Sequence, residues 1–265
     1  MKATSLLLTL FTLSFAATSA TISDDFDKII ALEKPARRVI ALSPHTAELL
    51  IAAGGAPYLV AAPAQTVGLP PHTQHINTLG GIDRERLVQL KPDLVLAWAS
   101  GNRASDLAWL EKTGIPVYRS EPRSMQNIAD GISAIGQLVG QPVQGRKAAA
   151  NFLQRLQDVC RGLEKEEVYV SIWDQPAMTV GGRHWLNDAL THAKLVNTFG
   201  TQQRGVFAVE REARMTREEL AQVLPRAPTA TLSGDQLAFA GLSRPGPALA
   251  QAIEKLCRSR QLSSE

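Results

Sequence analysis

Two tryptophans stand where a strand would hand over to a loop: Trp98 closes the run "DLVLAW" and Trp173 closes "EVYVSIW". In open sheets of parallel strands, ligands bind beyond the carboxyl ends of the strands. If the two strands belong to sheets that face each other, the indoles line opposite sides of one cleft. A flat, largely apolar macrocycle could pack against such walls, with aromatic contact contributing about 0.5 to 1.5 kcal/mol beyond area burial. The alternative for each indole is a core position with its N–H bonded internally; Trp109, inside an amphipathic run, suits that alternative best. Asn102, Asp174 and Gln175 follow the two strand ends and would add polar contacts at the rim.

Two further loops could reach the same place. "SPHT" (Ser43 to Thr46) follows the first strand-like run, and "VGGRHW" (Val180 to Trp185) holds a Gly-Gly turn that lets backbone approach closely. His45, Arg183, His184 and Trp185 are therefore candidate ligand contacts. An arginine could pair with a carboxylate or phosphate, and a neutral imidazole could ligate a metallated macrocycle. Solvated loop residues are the alternative.

Catalytic signatures are absent from the sequence. There is no G-x-S-x-G elbow, no G-x-x-x-x-G-K-[ST] phosphate loop and no H-E-x-x-H pair. Ser43 and His45 lack an orienting acid and an oxyanion hole in the pattern around them. His72 and His75 in "HTQH" have a spacing that occurs in metal sites, but zinc or manganese would need further ligands converging on them. The reading is a binding protein, not an enzyme, with no resident cofactor.

These residues must be positioned by alternating elements. "RRVIAL" reads as a buried strand, and Ser43-Pro44 after it as a helix cap with proline in the first turn. "TAELLIAAGG" is a helix, "YLVAAP" a strand, "PPHTQHINTLGG" a loop, and Asp83 the cap of the next helix. "DLVLAW" (strand), "SDLAWLEKTG" (helix), "IPVYRS" (strand) and "MQNIADGISAIGQLVG" (helix) continue the alternation. It argues for parallel sheets covered by helices. From Gln144 to Glu166 the apolar residues Ala148, Phe152, Leu156, Val159 and Leu163 recur at helical spacing, which predicts one helix of about 23 residues, roughly 35 Å long. After it come "EVYVSIW" (strand), "HWLNDALTHA" and "TREELAQVL" (helices), "PTATLS" (strand) and "ALAQAIEKLC" (helix). The expected organisation is a segment 1–20, a lobe over 21–142, an interlobe helix over 143–166 and a second lobe over 167–265.

The first twenty residues carry Lys2, the apolar stretch "LLLTLFTLSFAA" and "TSA" ending at Ala20, the layout of a secretory signal peptide. That stretch is too short to span a bilayer, and no cysteine follows it for lipid anchoring. A soluble periplasmic product is expected. The chain of 265 residues is 45% hydrophobic and 20% charged, with a net charge of +3 that becomes +2 when Lys2 is removed. No long basic run accompanies it, so nucleic acid is not an expected partner. Cys160 and Cys257 are the only cysteines, and an oxidising compartment favours their pairing if the geometry allows it.

An internal repeat ties the two halves together. "DRERLVQLKP" (Asp83 to Pro92) and "TREELAQVLP" (Thr216 to Pro225) align without gaps; each begins with an N-cap residue, places a glutamate two residues later and ends in proline before an extended run. Glu85 and Glu218 occupy the same place in the two copies.

"VIALSPHTAELLIAAGG", "LVQLKPDLVLAWASGN" and "MTVGGRHWLNDALTHAKLVNTFG" together resemble the helical-backbone substrate-binding proteins of ABC importers, a family that carries cobalamin, haem and ferric siderophores. The cobalamin-binding members are the nearest in pattern. The resemblance implies an α/β fold of two Rossmann-like lobes with mainly parallel sheets, joined by one long helix, with the ligand cleft between them. It also implies a monomer that delivers a corrinoid to an inner-membrane ABC permease dimer, with haem or a ferric siderophore as the alternative cargo. By the same resemblance, Glu85 and Glu218 are the pair that meets arginines on the permease, and Cys257 is the second cysteine of a disulfide. The chain departs from the pattern in two places: no Tyr or Trp lies between Pro63 and Gly81, and no cysteine stands near Ala193, so Cys160 would have to replace the usual partner.

Overall fold

A computed structural model describes residues 20–157, 159–174, 177–208, 230–233 and 241–262. The described residues open with an antiparallel hairpin, β1 (Ala20–Ser23) and β2 (Ile29–Leu32). The segment expected to be a signal peptide lies almost wholly outside the described residues. Alternation then follows: β3 (Val39–Ala41), α1 (Pro44–Ala52), β4 (Leu59–Ala62), β5 (Gln74–His75), α2 (Arg84–Gln89), β6 (Leu94–Trp98), α3 (Ala104–Lys112), β7 (Val117–Ser120) and α4 (Met125–Leu138). The expected caps are in place. Ser43 accepts the Thr46 N–H with Pro44 in the first turn of α1, and Asp83 accepts the Arg86 N–H at 2.9 Å.

Five strands form one parallel sheet in the order β5-β4-β3-β6-β7. Its central strands are apolar throughout because both faces are covered. On one face Val39, Ala41, Leu94 and Leu96 pack with Leu49 and Leu50 of α1 and Ile128 and Ile132 of α4. On the other, Ile40, Val95 and Ala97 meet Leu87 of α2 and Leu110 of α3. The two-residue period of a strand divides these side chains between the faces.

The next helix, α5 (Pro142–Leu156), is shorter than its pattern predicts. At 15 residues it is roughly 22 Å long, not 35 Å. Gln157 leaves the helical conformation with ψ at 129°, and the chain turns at Gly162, where φ is +83°. Val159 and Leu163 continue the apolar spacing but pack against the core from a turn, not from a helix. That turn carries Cys160 to Cys257, to which it is disulfide-bonded with a Cα separation of 5.3 Å.

Beyond it, β8 (Glu166–Ser171), β9 (Trp173–Asp174), β10 (Ala177–Val180), α6 (Trp185–His192), β11 (Leu195–Asn197), β12 (Val206–Ala208), β13 (Ala230–Ser233) and α7 (Leu249–Leu262) complete the described elements. A second parallel sheet runs β11-β8-β13, and an antiparallel sheet β12-β10-β9, unforeseen in the sequence reading, stands beside it. The expected "TREELAQVL" helix, with Glu218, lies outside the described residues. The apolar core is continuous from α1 and α4 through Phe152 and Leu156 of α5 to Val168, Val170, Leu190 and Ile253.

Candidate functional site

Both parallel sheets change winding direction at a definite place. In the first, β4 and β5 add on one side of β3 while β6 and β7 add on the other; in the second, β8 is flanked by β11 and β13. Loops leaving the carboxyl ends at such switch points diverge and leave a crevice between them. A cleft of about 890 Å³ opens there, lined by Trp98, Ala99 and Ser100 after β6, Glu121 to Arg123 after β7, Ile172 after β8, Arg183 to Leu186 at the start of α6, Gln203 to Val206 before and within β12, Leu242, Ser243 and Pro245 before α7, and Phe26 of the hairpin. That volume is in the range of small-molecule sites.

Trp98 is held at the edge of this cleft. The Asn102 side chain accepts the Trp98 N–H at 2.7 Å and donates to the Leu42 carbonyl at 3.0 Å, tying the loop after β6 to the end of β3. Asn102 thus positions the indole and is not itself part of the lining. His45, expected in the wall, lies beneath it: it is 1% exposed, edge-on to Trp98 with ring centroids 5.2 Å apart. Its Nδ1 is 3.0 Å from the Ser43 hydroxyl and its Nε2 3.3 Å from that of Ser120. Burial, with Arg244 nearby, pushes its pKa from 6.5 down to about 3. The helix start at Pro44 turns this side chain inward onto the sheet.

Trp173 does not reach the cleft. Strand β8 ends at Ser171, and Ile172 donates its N–H to Met178 and starts the crossing into β9. Because side chains alternate along an extended chain, this puts Ile172 into the cleft and leaves Trp173 61% exposed. Asp174 belongs to β9 by its backbone, and Gln175 lies outside the described residues.

The "VGGRHW" loop does line the cleft through Arg183, His184 and Trp185. Its glycines bring backbone against backbone: Gly181 donates to the Gly205 carbonyl, Gly182 to that of Gln202 and Arg183 to that of Arg204, all at 2.8 to 3.0 Å. A side chain on Gly182 would overlap the Gly200 carbonyl. This contact delivers Arg204, which the sequence reading missed, to the same wall as Arg183. Trp185 is buried and forms that wall's aromatic part, with the His184 ring 5.0 Å away. His184 is the N-cap of α6, its Nδ1 accepting the Leu186 N–H at 3.2 Å, and burial lowers its pKa to about 4. In the neutral ring that bond leaves the proton on Nε2. Neither His45 nor His184 therefore offers a free ring nitrogen to a metal.

Three arginines, Arg123, Arg183 and Arg204, line the cleft, against one described carboxylate, Glu121, and the Arg204 guanidinium lies over the Phe207 ring at 5.4 Å. Glu121 is already engaged by the backbone N–H and hydroxyl of Ser100 at 2.8 and 2.9 Å. The arrangement offers a large, partly apolar ring aromatic and apolar surface at Trp98, Ile172 and Trp185, with arginines beside it that can neutralise an acidic substituent. Arg123 and Arg204 could not be picked out in sequence, because their neighbours carry no motif and only the cleft brings them together. His72 and His75 are both exposed, away from this site, and among the described residues no group of three or more metal-type side chains converges.

Truncating the aromatic wall has a direct consequence. Trp98→Ala is expected to weaken ligand binding by about 1 to 3 kcal/mol while leaving a folded protein, since the partly exposed indole fills the cleft more than the core. Calorimetry beside a thermal melt checks it; unchanged affinity removes Trp98 from the site.

The model of the family described as "Periplasmic binding protein" matches residues 39–236, and the chain belongs to that family. The vitamin B12-binding protein of Vibrio campbellii is 33% identical over 193 residues, covering 69% of each chain. Among solved structures, the periplasmic vitamin B12 binding protein BtuF of Vibrio cholerae superposes with a TM-score of 0.69 at 27% identity, covering 87% of this chain and 99% of that one. The periplasmic heme-binding protein RhuT from a Roseiflexus species shares the fold, with a TM-score of 0.68 at 17% identity over 86% of this chain and 99% of that one.

Proposed function

We propose that this protein is a periplasmic carrier that binds a corrinoid of the cobalamin type in the 890 Å³ cleft and hands it to an inner-membrane ABC importer. The observation that carries the reading is the cleft at the switch points of two parallel sheets, walled by Trp98 and Trp185, in a chain whose relatives include vitamin B12-binding proteins. The corrin ring would pack on the indoles, and the arginines would meet the phosphate of a nucleotide-bearing corrinoid. The corrinoid is cargo, not a cofactor, and no reaction is catalysed. Residues 21–142 and 167–265 act as two lobes about the segment 143–166, and residues 1–20 direct export and are removed. Occupation of both ring nitrogens of His45, and of Nδ1 of His184, favours packing over histidine ligation of the metal. Calorimetry with cobalamin, cobinamide, haem and several ferric siderophores tests the reading. Tight binding of cobalamin supports it, binding of haem or a siderophore alone would reassign the cargo, and flat traces throughout would sink it.

The partner is a permease dimer, met by the protein as a monomer. Glu85 is exposed in the first turn of α2, and Glu218 holds the same place in the second copy of the repeat. One acid per half suits a two-fold partner, each half of which grips one lobe. Glu85→Lys with Glu218→Lys is expected to leave corrinoid affinity nearly intact and abolish corrinoid-driven uptake, because opposed like charges at an interface cost several kcal/mol. Normal uptake by a folded, exported double variant would remove both from the docking surface.

A further inference from the structure

We propose that Arg244 is a positioning residue of the cleft: paired with Glu48, it ties the segment carrying Ser243 and Pro245 to α1 and so sets how far apart the two sides of the cleft stand. The inference rests on the reading of that cleft as the ligand site. Residues 241–248 follow β13 and precede α7, and Leu242 and Leu249 root the segment in the core of the C-terminal half. Ser243 and Pro245 face the cleft. Between them, Arg244 points the other way and crosses to the N-terminal half, where its Nη1 lies 3.2 Å from Glu48 Oε1 and donates to the Gln65 carbonyl at 3.0 Å.

The receiving side is built for this contact. Glu48 sits in α1 at 6% exposure, and the same carboxylate oxygen accepts the Val67 N–H at 3.2 Å. Gly246 is buried against it, and even a methyl group there would come within 2.9 Å of the other oxygen, Oε2. While it is ionised, a carboxylate so enclosed is favoured by a cation at its side. If Arg244 withdrew, Glu48 would lose its ion-pair partner, so the segment has one strongly preferred seat. The Met125 N–H, donated to Asp188 of α6 at 2.6 Å, joins the halves again beside the lining residues Arg123 and Leu186. The spacing of the cleft is thereby set by polar contacts on its rim as well as by the continuous core.

A merely structural ion pair and a positioning one differ in what their loss changes. Burial raises the pKa of Glu48, outweighing the Val67 N–H and Arg244, so ionising it costs the fold some stability. Glu48→Gln, isosteric and uncharged, should then melt close to the parent, yet release ligand faster because only neutral acceptors, the introduced amide and the Gln65 carbonyl, then hold the guanidinium. Two readouts test this in the full chain, with Arg244→Met as the second variant. The first is the distance between spin labels on the exposed positions Val88→Cys and Val196→Cys, one in each half; it should be narrow in the parent and broaden or shift in both variants. The second is dissociation of cyanocobalamin by stopped flow, expected to be at least five-fold faster in both variants with little change in association rate. Unchanged distances with unchanged dissociation would overturn the assignment, as would loss of affinity that merely tracks a lower melting temperature. Failure of the parent to bind cyanocobalamin would count against the corrinoid reading alone, and the label distances would still decide the role of Arg244.

Discussion

Reducing the Cys160–Cys257 bridge should lower the free energy of unfolding by about 3 to 5 kcal/mol. The two residues are 97 apart in sequence, and closing a loop of that size removes conformational entropy from the unfolded chain worth about 4.7 kcal/mol on the chain-entropy account. The bond joins the turn after α5 to the middle of α7, with both cysteines buried in the core. Nearby, Arg155 of α5 and Glu254 of α7 form a two-pronged pair at 2.8 Å, but it is largely exposed and adds little. Without the bridge, α7 would depend on its apolar contacts, that exposed pair and the bonds from Arg260 to the Ala193 and Glu164 carbonyls to stay docked. Urea titration of oxidised and reduced protein at pH 7 measures the difference, and a Cys160→Ala, Cys257→Ala variant should match the reduced form. Equal midpoints for all three would show that the bridge constrains nothing.

The second large effect concerns acid. His45 has a pKa of about 3 in the folded protein and about 6.5 when unfolded, so below pH 6.5 the unfolded chain takes up a proton that the folded one refuses. Stability from this group is complete above pH 6.5 and falls as pH drops towards 3. At 1.36 kcal/mol per unit, the loss is roughly 2 to 3 kcal/mol by pH 4.5 and roughly 4 to 5 kcal/mol by pH 3. His184, lowered to about 4, acts in the same direction over a narrower window. Asp25 and Glu48 oppose both, since burial raises their carboxyl pKa values and protonation relieves the cost. The part due to His45 is isolated by His45→Gln, a polar side chain that does not titrate. The difference in unfolding free energy between parent and variant should shrink by about 2 to 3 kcal/mol from pH 6.5 to 4.5. Parallel curves would mean that His45 titrates like an exposed imidazole and does not lie sealed beneath Trp98.

Much of the architecture could be read from local chemistry. The apolar runs at Val39 to Leu42 and Leu94 to Trp98 are too uniformly buried in character for anything but central parallel strands, and Ser43-Pro44 and Asp83 mark helix starts whatever surrounds them. Trp98 at a strand end and the Gly-Gly loop before Trp185 were legible for the same reason: strand termini and close-approach glycines are local signals, and both lead to the cleft. The two cysteines left only one possible pairing.

What failed to show locally depended on where the chain turns. The apolar spacing from Ala148 to Leu163 is compatible with a helix throughout, yet the helix ends at Leu156, and the chain beyond it turns to meet Cys257 through Cys160 before entering β8. Trp173 shares its composition with Trp98, but the crossing into β9 at Ile172 reverses which side each residue faces, and a period of two makes that outcome all or nothing. His45 was drawn inward by a helix start that the sequence announces without saying which way its side chains point. Arg123, Arg204 and Arg244 carry no signature at all, because the charges that matter to a cleft are those that separate loops bring to it, and the sequence order of those loops says nothing of their distance in space.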